Sequence, residues 1–402
     1  MTSRRELLSA TQSVTLMTIA AKSHPMSSRN ARPSAHSSML RVLILLLSAP
    51  QVCAVAAPAA KEAAPILEVA ATSPTHAWNG VAVANDGRIF ASFPRWDKTT
   101  PSVAVIGPDG AQTPYPGDGW NEWKPGEDPA RHFISINSLF IDRDANHLWV
   151  VDPATPHFGG IVQGGPKLVE IDLATDKVVN VYSFDLANAP ANSHLNDARV
   201  LGDHVFITDS GTGALLVLDR TTGHIRRLLA KSRLTKADPS IIPHVDGHQL
   251  AGPTGKIPQL NADQIELSAD RKTLFFMSPF GPNLYRVALA DLLDESLSDS
   301  DLEQRVKVAR HVTPVGGLVI DRNNVLYLSE VETHSIRAEA PDGHTLWTIK
   351  DRRLDWPDAY SIGPDGTFYI VAAQVDQLPG FNQGHDGRKP PYYMFRFKPK
   401  AP

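Results

Sequence analysis

One pattern occurs six times along this chain and limits the folds it can adopt. Each copy begins with a polar residue or glycine, continues through a short apolar run and a turn rich in Asp, Asn and Gly, and ends with a second apolar run. The third copy, within residues 194–229, contains N-D-A-R-V-L-G-D-H-V-F-I-T-D-S-G. Such runs, bounded by turn-forming residues, are typical of antiparallel strands joined by tight connections. The copies begin at Asn79, Asn137, Asn196, Asp263, Gly316 and Asp358.

The spacing of these starts, 42 to 67 residues, fits four-stranded units separated by loops of variable length. We therefore predict an all-β fold, a six-bladed β-propeller with four-stranded antiparallel blades around a central channel. A β-sandwich does not naturally produce six similar starts. We assign residues 62–400 to the propeller, and expect strands at 66–70 and 393–398 to close the ring by sharing one blade.

The first sixty residues have a different character. Residues 1–38 are rich in Ser, Arg and Thr without a core pattern, so we predict a non-structural extension. Residues 39–57 combine a basic start, a short apolar run and the small-residue sequence Ala54-Val55-Ala56, as a signal peptide does. We therefore expect a secreted or periplasmic protein without a membrane span. The single cysteine, Cys53, lies inside this signal, so the mature chain would have no disulfide.

Charge excludes one class of partner. The first sixty residues hold six basic and one acidic side chain, which leaves 33 basic and 42 acidic side chains in the remainder and no basic patch. An acidic exported protein is a poor candidate for binding nucleic acid. We expect a small-molecule ligand and a monomer.

The strand starts supply the candidate binding residues. In a propeller the innermost strands begin around one mouth of the channel, so the six starts should form a ring. We predict metal ligands, with calcium as the candidate ion, because carboxylate and amide oxygens suit hard cations; these are Asn137, Asn196, Asp263 and Asp358. For a small ligand we predict contacts from Trp78, Asn79, Asn137, Asn196, Asp197 and Asp358. The alternative role for Asn and Asp here is to cap strand starts through local hydrogen bonds.

Two residues are candidates for proton transfer. His194 lies beside Asn196 and Asp197, and histidine exchanges protons near neutral pH. Glu330 ends a second strand and is the predicted general base. The alternatives are a structural hydrogen bond for His194 and a solvated or Arg-paired carboxylate for Glu330.

Loops and aromatic residues complete the predicted site. Residues 153–166 are expected to form a surface loop that covers the mouth, and residues 239–258 form a second long insertion. Trp78, Trp120, Trp123 and Phe133 either wall an aromatic ligand site or pack between blades.

The motifs resemble those of the major royal jelly protein/yellow family, in its bacterial, dopachrome-tautomerase-related branch. The similar stretches include V-F-I-T-D-S-G-T-G-A-L-L-V-L-D, A-D-Q-I-E-L-S, L-Y-L-S-E-V-E-T-H-S-I and W-P-D-A-Y-S-I-G-P-D-G-T-F-Y-I-V-A-A-Q-V. The resemblance implies a six-bladed propeller and secretion. In that family some members are credited with dopachrome isomerisation and others bind small amines in the central channel, and no catalytic motif transfers residue by residue.

The repeat also resembles, more distantly, the gluconolactonase/regucalcin-type propellers, which hold a divalent metal among channel residues. The Glu of that family's first blade has no convincing counterpart here. Three hypotheses follow: a protein that binds or isomerises a small aromatic or amine ligand, a metal-dependent lactonase or hydrolase, and a non-enzymatic surface scaffold.

Overall fold

Six four-stranded antiparallel sheets account for most of the chain that the computed structural model describes, residues 62–96 and 101–400. The predicted extension and signal peptide, with Cys53, lie outside the described residues. Within the described ranges, no helix is both long and apolar enough to cross a membrane. The prediction of an all-β, six-bladed propeller is confirmed.

The strands follow the chain blade by blade. The first strand, β1 (Glu68–Ser73), precedes blade 1, which contains β2 (Val81–Val83), β3 (Ile89–Ser92), β4 (Val103–Ile106) and β5 (Gln112–Pro114). Blade 2 contains β6 (Leu139–Asp142), β7 (His147–Asp152), β8 (Lys167–Asp172) and β9 (Lys177–Ser183). Blade 3 contains β10 (Leu195–Leu201), β11 (His204–Asp209), β12 (Ala214–Asp219) and β13 (Ile225–Leu228).

A small hairpin, β14 (His244–Val245) and β15 (His248–Gln249), lies between blades 3 and 4 in the sequence. Blade 4 contains β16 (Ile265–Leu267), β17 (Thr273–Phe276), β18 (Asn283–Ala288) and β19 (Lys307–His311). Blade 5 contains β20 (Val315–Ile320), β21 (Leu326–Glu330), β22 (Ser335–Glu339) and β23 (Thr345–Lys350). Blade 6 contains β24 (Pro357–Ile362), β25 (Phe368–Ala372) and β26 (Tyr392–Phe397).

Helical structure is minor among the described residues. Two short helices, α1 (Leu289–Leu293) and α2 (Asp299–Arg305), join β18 to β19. Ser298 caps α2 by accepting a hydrogen bond from the Asp301 backbone nitrogen at 3.2 Å. The single turns of 3-10 helix are Pro129–Arg131, Pro156–Phe158, Arg233–Thr235, Val331–Thr333 and Val375–Gln377.

The chain start closes the ring. β1 pairs antiparallel with β26, so it supplies the outermost strand of blade 6, in the order β1-β26-β25-β24. The innermost strands contact one another in chain order, and β24 contacts β2 to complete the circle. The expected sharing of one blade by the two terminal strands is therefore observed, and it gives blade 6 four strands like the other five blades.

The hydrophobic core lies between blades. Trp149 and Val151 of β7 pack with Leu195 and Val205 of blade 3, and all four are nearly inaccessible to water. Comparable clusters fill the other junctions, including that between blades 6 and 1. Because every strand alternates its side chains between two faces, each sheet can bury one face against each neighbour.

Bulges in three inner strands shape the channel. The register of β10, β20 and β24 shifts after their first residues, at 195–198, 315–318 and 357–360. Such bulges re-aim a side chain. They also bring blades 5 and 6 close: a Cβ on Gly316 would lie 2.4 Å from the Pro357 carbonyl oxygen, and one on Gly317 would lie 1.9 Å from that of Asp358. Only glycine fits at these two positions.

Candidate functional site

Six residues, one from the start of each inner strand, form the waist of the channel. They line both the upper cavity of about 430 Å³ and the lower cavity of about 180 Å³. The six are Asn79, Asn137, Asn196, Asp263, Gly316 and Asp358. The structure thus brings together the ring predicted from the repeat. We call the end where the inner strands begin the upper mouth.

Amide groups link the waist residues around the ring. Asn79 donates from Nδ2 to the Asn137 carbonyl oxygen at 3.3 Å, and Asn137 donates in the same way to that of Asn196 at 3.0 Å. Asn196 then donates to the Asp263 carboxylate at 2.8 Å and to Ser210 Oγ at 3.0 Å. The Nδ2 atoms of all three asparagines are thus used within the protein. The side-chain oxygens of Asn79 and Asn196 accept no hydrogen bond from the described residues.

Two enclosed carboxyl groups dominate the electrostatics of the waist. Burial, together with the charges of Asp358 and Asp197, raises the pKa of Asp263 well above its usual value, although the Asn196 hydrogen bond opposes this. Burial and the charge of Asp197 raise the pKa of Asp358 to about 8, while an interaction with the Trp356 side chain opposes the shift. Neither carboxylate has a cationic side chain as a direct partner among the described residues. The waist therefore favours a proton or a bound cation.

Aromatic side chains wall the upper cavity above these carboxyl groups. They come from four loops: Trp96, Phe158, Trp356 and Phe381. Phe381 meets Trp356 edge-on, with the ring centroids 5.9 Å apart. Trp356 has φ of 50°, a left-handed conformation that is uncommon for a bulky residue. Such an outlier, held by the surrounding structure, suggests a functional constraint on the direction of this indole.

His194 lies in the wall of the upper cavity. Burial lowers its pKa to about 4, against the opposing influence of Asp209 and Asp152, so the imidazole is neutral at physiological pH. Asn137 uses its Nδ2 toward Asn196, so its Oδ1 faces His194 Nε2 at 3.3 Å. The proton therefore sits on Nε2, and Nδ1 accepts from Thr155 Oγ1 at 2.7 Å. Both ring nitrogens are engaged, which matches the structural alternative for this residue.

The lower cavity has a different character. Arg199 lies between two carboxylates, with Nη1 2.8 Å from Asp197 and Nε 3.1 Å from Glu266. Charged side chains also cross the lower end of the channel. Arg143 of blade 2 donates to backbone oxygens of Val83 in blade 1 and Ile362 in blade 6. An ion pair between Arg271 and Asp144 joins the turns of blades 4 and 2. The cavity above the waist is the larger of the two, at about 430 Å³ against about 180 Å³ below it.

Some predicted site residues lie elsewhere. Glu330 lines neither cavity, and its carboxylate accepts from Arg337 Nε at 2.8 Å, which is the Arg-paired alternative. Trp78 is fully buried with Phe93 in the core between blades 1 and 6, and its Nε1 donates to the Tyr393 carbonyl oxygen at 3.1 Å. Asp197 faces only the lower cavity. Trp120, Trp123 and Phe133 pack in clusters away from the waist.

Two buried carboxylates that sequence reasoning did not assign to the site hold its loops. Asp152 accepts from the backbone nitrogens of Ile134, Ser135 and Ala154 at 2.8 to 3.0 Å, and from Lys167 Nζ at 2.6 Å. Asp209 accepts from Ser193 Oγ at 2.7 Å and from the His194 backbone nitrogen at 2.9 Å. Both end the second strand of their blade, and that shared position was the available signal.

The insertion at 239–258 carries histidines and an aspartate but no metal-ligand arrangement. Asp246 accepts from His334 Nε2 and from Arg352, each at 3.0 Å. Within residues 62–96 and 101–400, no group of three or more His, Cys, Asp and Glu side chains is placed to hold a metal ion. A cation at the waist would therefore depend on Asn oxygens together with the carboxylates.

Solved structures with this architecture are distant in sequence. A luciferin-regenerating enzyme is 10% identical, with a TM-score of 0.50, and the alignment covers 84% of this chain and 96% of that one. Virginiamycin B lyase from Staphylococcus aureus is 15% identical, with a TM-score of 0.42, covering 76% and 82%. A streptogramin B lyase is 11% identical, with a TM-score of 0.45, covering 83% and 97%. The likeness to the luciferin-regenerating enzyme concerns the fold alone, and nothing is concluded from the two lyases, whose TM-scores lie below 0.5.

No curated protein sequence matches the chain. The sequence model of the family described as Major royal jelly protein does match, over residues 134–343, which is just over half of the chain. That segment runs from the end of the connection between β5 and β6 through β22, and it includes the waist residues of blades 2 to 5. The protein belongs to the major royal jelly protein family.

Proposed function

We propose that the protein binds a small aromatic amine in the upper cavity, with the ring among the aromatic walls and the ammonium group against Asp358 and Asp263. The observation that carries this proposal is the pairing of an aromatic chamber with two enclosed carboxyl groups that have no cationic partner. A cavity of about 430 Å³ is within the usual range for small-ligand sites.

The two halves of the site supply different parts of the affinity. Aromatic faces attract flat rings and cations through dispersion and the ring quadrupole. An ammonium group would pair with these carboxyl groups, and its binding would favour the ionised form of Asp358. A neutral ligand of the same shape would gain only the contribution of the aromatic walls.

Isothermal titration calorimetry with tyramine and tyrosol tests the proposal, because the two differ only in carrying an amine or a hydroxyl on the same chain. We expect tyramine to bind and tyrosol to bind far more weakly. Asp358→Asn should weaken tyramine binding by roughly 30-fold, the loss expected when one partner of an enclosed charge pair is removed. Glu330→Gln is the matched control, since Glu330 lies outside both cavities, and it should leave binding unchanged.

The same titration separates the other hypotheses. Heat from calcium chloride that disappears in Asp358→Asn would favour a hard cation at the waist, held by Asn137, Asn196, Asp263 and Asp358, and with it a cation-dependent hydrolase. Equal binding of tyramine and tyrosol would remove the ammonium from the proposal. Absence of binding for tyramine, tyrosol and calcium would favour the scaffold hypothesis.

For a ligand that can tautomerise, such as dopachrome, we propose a proton shift within the bound molecule, in keeping with the tautomerase activity attributed to some relatives. A carboxyl group that changes charge near neutral pH suits both proton uptake and release, and the pKa of Asp358 is raised to about 8. His194 is a weaker candidate because both of its nitrogens are engaged. Following the visible absorbance of dopachrome with wild type and Asp358→Asn tests this step separately from binding.

We also infer that the protein is exported and acts as a monomer. Support for export comes from the signal-like sequence at 39–57 and from the acidic, cysteine-free remainder. N-terminal sequencing of protein recovered outside the cytoplasm is expected to begin near residue 57. A product that retains residues 39–57 would contradict cleavage.

A further inference from the structure

The loop between β7 and β8 places an aromatic side chain across the upper mouth in a strained backbone conformation. His157 has φ of 58° and Phe158 has φ of 51°, so two consecutive residues other than glycine are left-handed. Side chains with a Cβ rarely adopt this region, and such residues persist only where the surroundings hold them. Phe158 is also one of the few large apolar side chains that are half exposed, at 49%.

Phe158 connects the rims of three blades. Its ring stacks on Trp96 of the blade 1 loop, with centroids 5.7 Å apart and planes at 18°. It also lies 6.4 Å from the His194 ring of blade 3, at 25°, and 6.5 Å edge-on from Phe381 of the blade 6 loop. An exposed phenylalanine with three aromatic neighbours around a cavity mouth closes part of that mouth.

The root of this loop is held by several hydrogen bonds, and its tip, where the Gly159 nitrogen donates to the Pro156 carbonyl oxygen at 3.0 Å, contains two glycines. Asp152 accepts from the Ala154 nitrogen, Thr155 bonds to His194, and the His157 nitrogen donates to the Arg95 carbonyl oxygen at 2.7 Å. Beyond Phe158 come Gly159 and Gly160, and a Cβ added to Gly160 would meet no atom within 4 Å. Glycine permits backbone changes that other residues resist. The loop therefore combines a fixed base with a pliable tip next to Phe158.

We propose that Phe158 is an aromatic cover of the upper cavity, which turns aside to admit a flat amine and then stacks on its ring. This inference rests on the proposed function for the identity of the ligand, but the closure of the mouth does not depend on it. The cover would select planar rings, because a stacked phenyl face excludes branched aliphatic groups more strongly than flat ones. Phe158 would then set selectivity, while the waist carboxyl groups bind the charge.

The test compares wild type with Phe158→Ala and Phe158→Leu, and uses Val308→Ala as the control for loss of a half-exposed apolar side chain far from the mouth. Acrylamide quenching of tryptophan fluorescence, without ligand, reports access to the seven tryptophans, of which Trp96 and Trp356 line the upper cavity. We expect Phe158→Ala to raise the quenching constant and Val308→Ala to leave it unchanged. Stopped-flow mixing with tyramine should show dissociation about tenfold faster in Phe158→Ala, with association no slower. Phe158→Leu should restore protection from acrylamide but not slow dissociation.

Each arm can overturn the inference. Quenching constants that are equal in wild type and Phe158→Ala would show that Phe158 does not cover the cavity, whatever the ligand. Tyramine rates that do not change in Phe158→Ala would show that it does not stack on the ligand. If wild type gives no tyramine signal at all, the proposed function fails and the stacking claim fails with it, while the quenching arm still decides whether the mouth is covered.

Discussion

Replacing Lys167 with methionine is expected to lower the free energy of unfolding by about 3–5 kcal/mol, the cost typical of removing one partner of a buried ion pair. Lys167 and Asp152 are both fully buried, and Lys167 Nζ lies 2.6 Å from the carboxylate and 3.0 Å from the Gly165 carbonyl oxygen. Methionine fills similar volume, so the loss reflects the charge left on Asp152 rather than a cavity. Urea denaturation followed by circular dichroism measures it.

Lys177→Met is the matched control for that measurement. Lys177 also pairs with an aspartate, Asp118, at 2.8 Å, but both side chains are mostly exposed. Exposed pairs contribute about 0–1 kcal/mol, so this variant should unfold close to wild type. A Lys167→Met protein as stable as Lys177→Met would show that Asp152 is satisfied by its backbone donors alone.

Replacing Asp358 with asparagine is expected to stabilise the ligand-free protein at pH 8, by on the order of 2 kcal/mol once water in the channel is allowed for. Burial and Asp197 raise the pKa of Asp358 to about 8 in the folded protein, whereas the unfolded chain releases that proton near pH 4. Between those values the folded chain binds more protons, so stability falls as pH rises from about 4 to about 8. Asparagine cannot ionise, so the substitution removes this contribution to the pH dependence of stability.

Thermal unfolding of wild type and Asp358→Asn from pH 4 to pH 8, in a buffer with a calcium chelator, checks this expectation. In Asp358→Asn the fall in stability with rising pH should become smaller without vanishing, because burial also raises the pKa values of Asp263 and Asp355. Asp365→Asn gives a control of opposite sign: hydrogen bonds from Thr367 lower the pKa of Asp365 to about 2, so its loss should reduce stability at neutral pH. A steeper slope in Asp358→Asn would contradict the assignment.

The fold was predictable because the repeat encodes it locally. A polar start, a turn and a β-branched or aromatic run mark each pair of inner strands in the sequence. Six copies of this pattern are compatible with few architectures. The waist followed from register, since equivalent positions in equivalent blades must lie on one circle. The exception at Gly316 also has a local cause, because the bulges of blades 5 and 6 leave no room there for a Cβ.

Glu330 and Trp78 lie outside both cavities because side chains alternate between the two faces of a strand. Ser329 is fully buried and donates to Tyr360 of blade 6 at 2.7 Å, so it faces that blade, whereas Glu330, one residue on, turns to Arg337. Trp78 precedes Asn79 in the same way and enters the core. A shift of one position exchanges the two faces. The sequence could therefore place a candidate general base at the end of a strand, but it could not say on which face of the sheet the side chain lies.

The aromatic walls could not be predicted as a group. Trp96, Phe158, Trp356 and Phe381 come from loops in three blades, and their approach depends on left-handed residues and aromatic contacts that no periodic pattern marks. Of the loop 153–166, which was expected to cover the mouth, Thr155, Phe158, Gly159 and Gly160 line the upper cavity. Which residue of that loop enters the cavity depends on the conformations of His157 and Phe158.

The pairing of β1 with β26 also has a consequence for biosynthesis. Glu68 and Arg396, which face each other in that pairing, are 328 positions apart, so the first strand to leave the ribosome joins its sheet only after the last one has emerged. Blades 1 to 5 can form during translation, while β1 must wait with its hydrogen-bonding edges unpaired. A pause in synthesis or a truncated message would therefore leave an open ring, with a strand edge available to other chains.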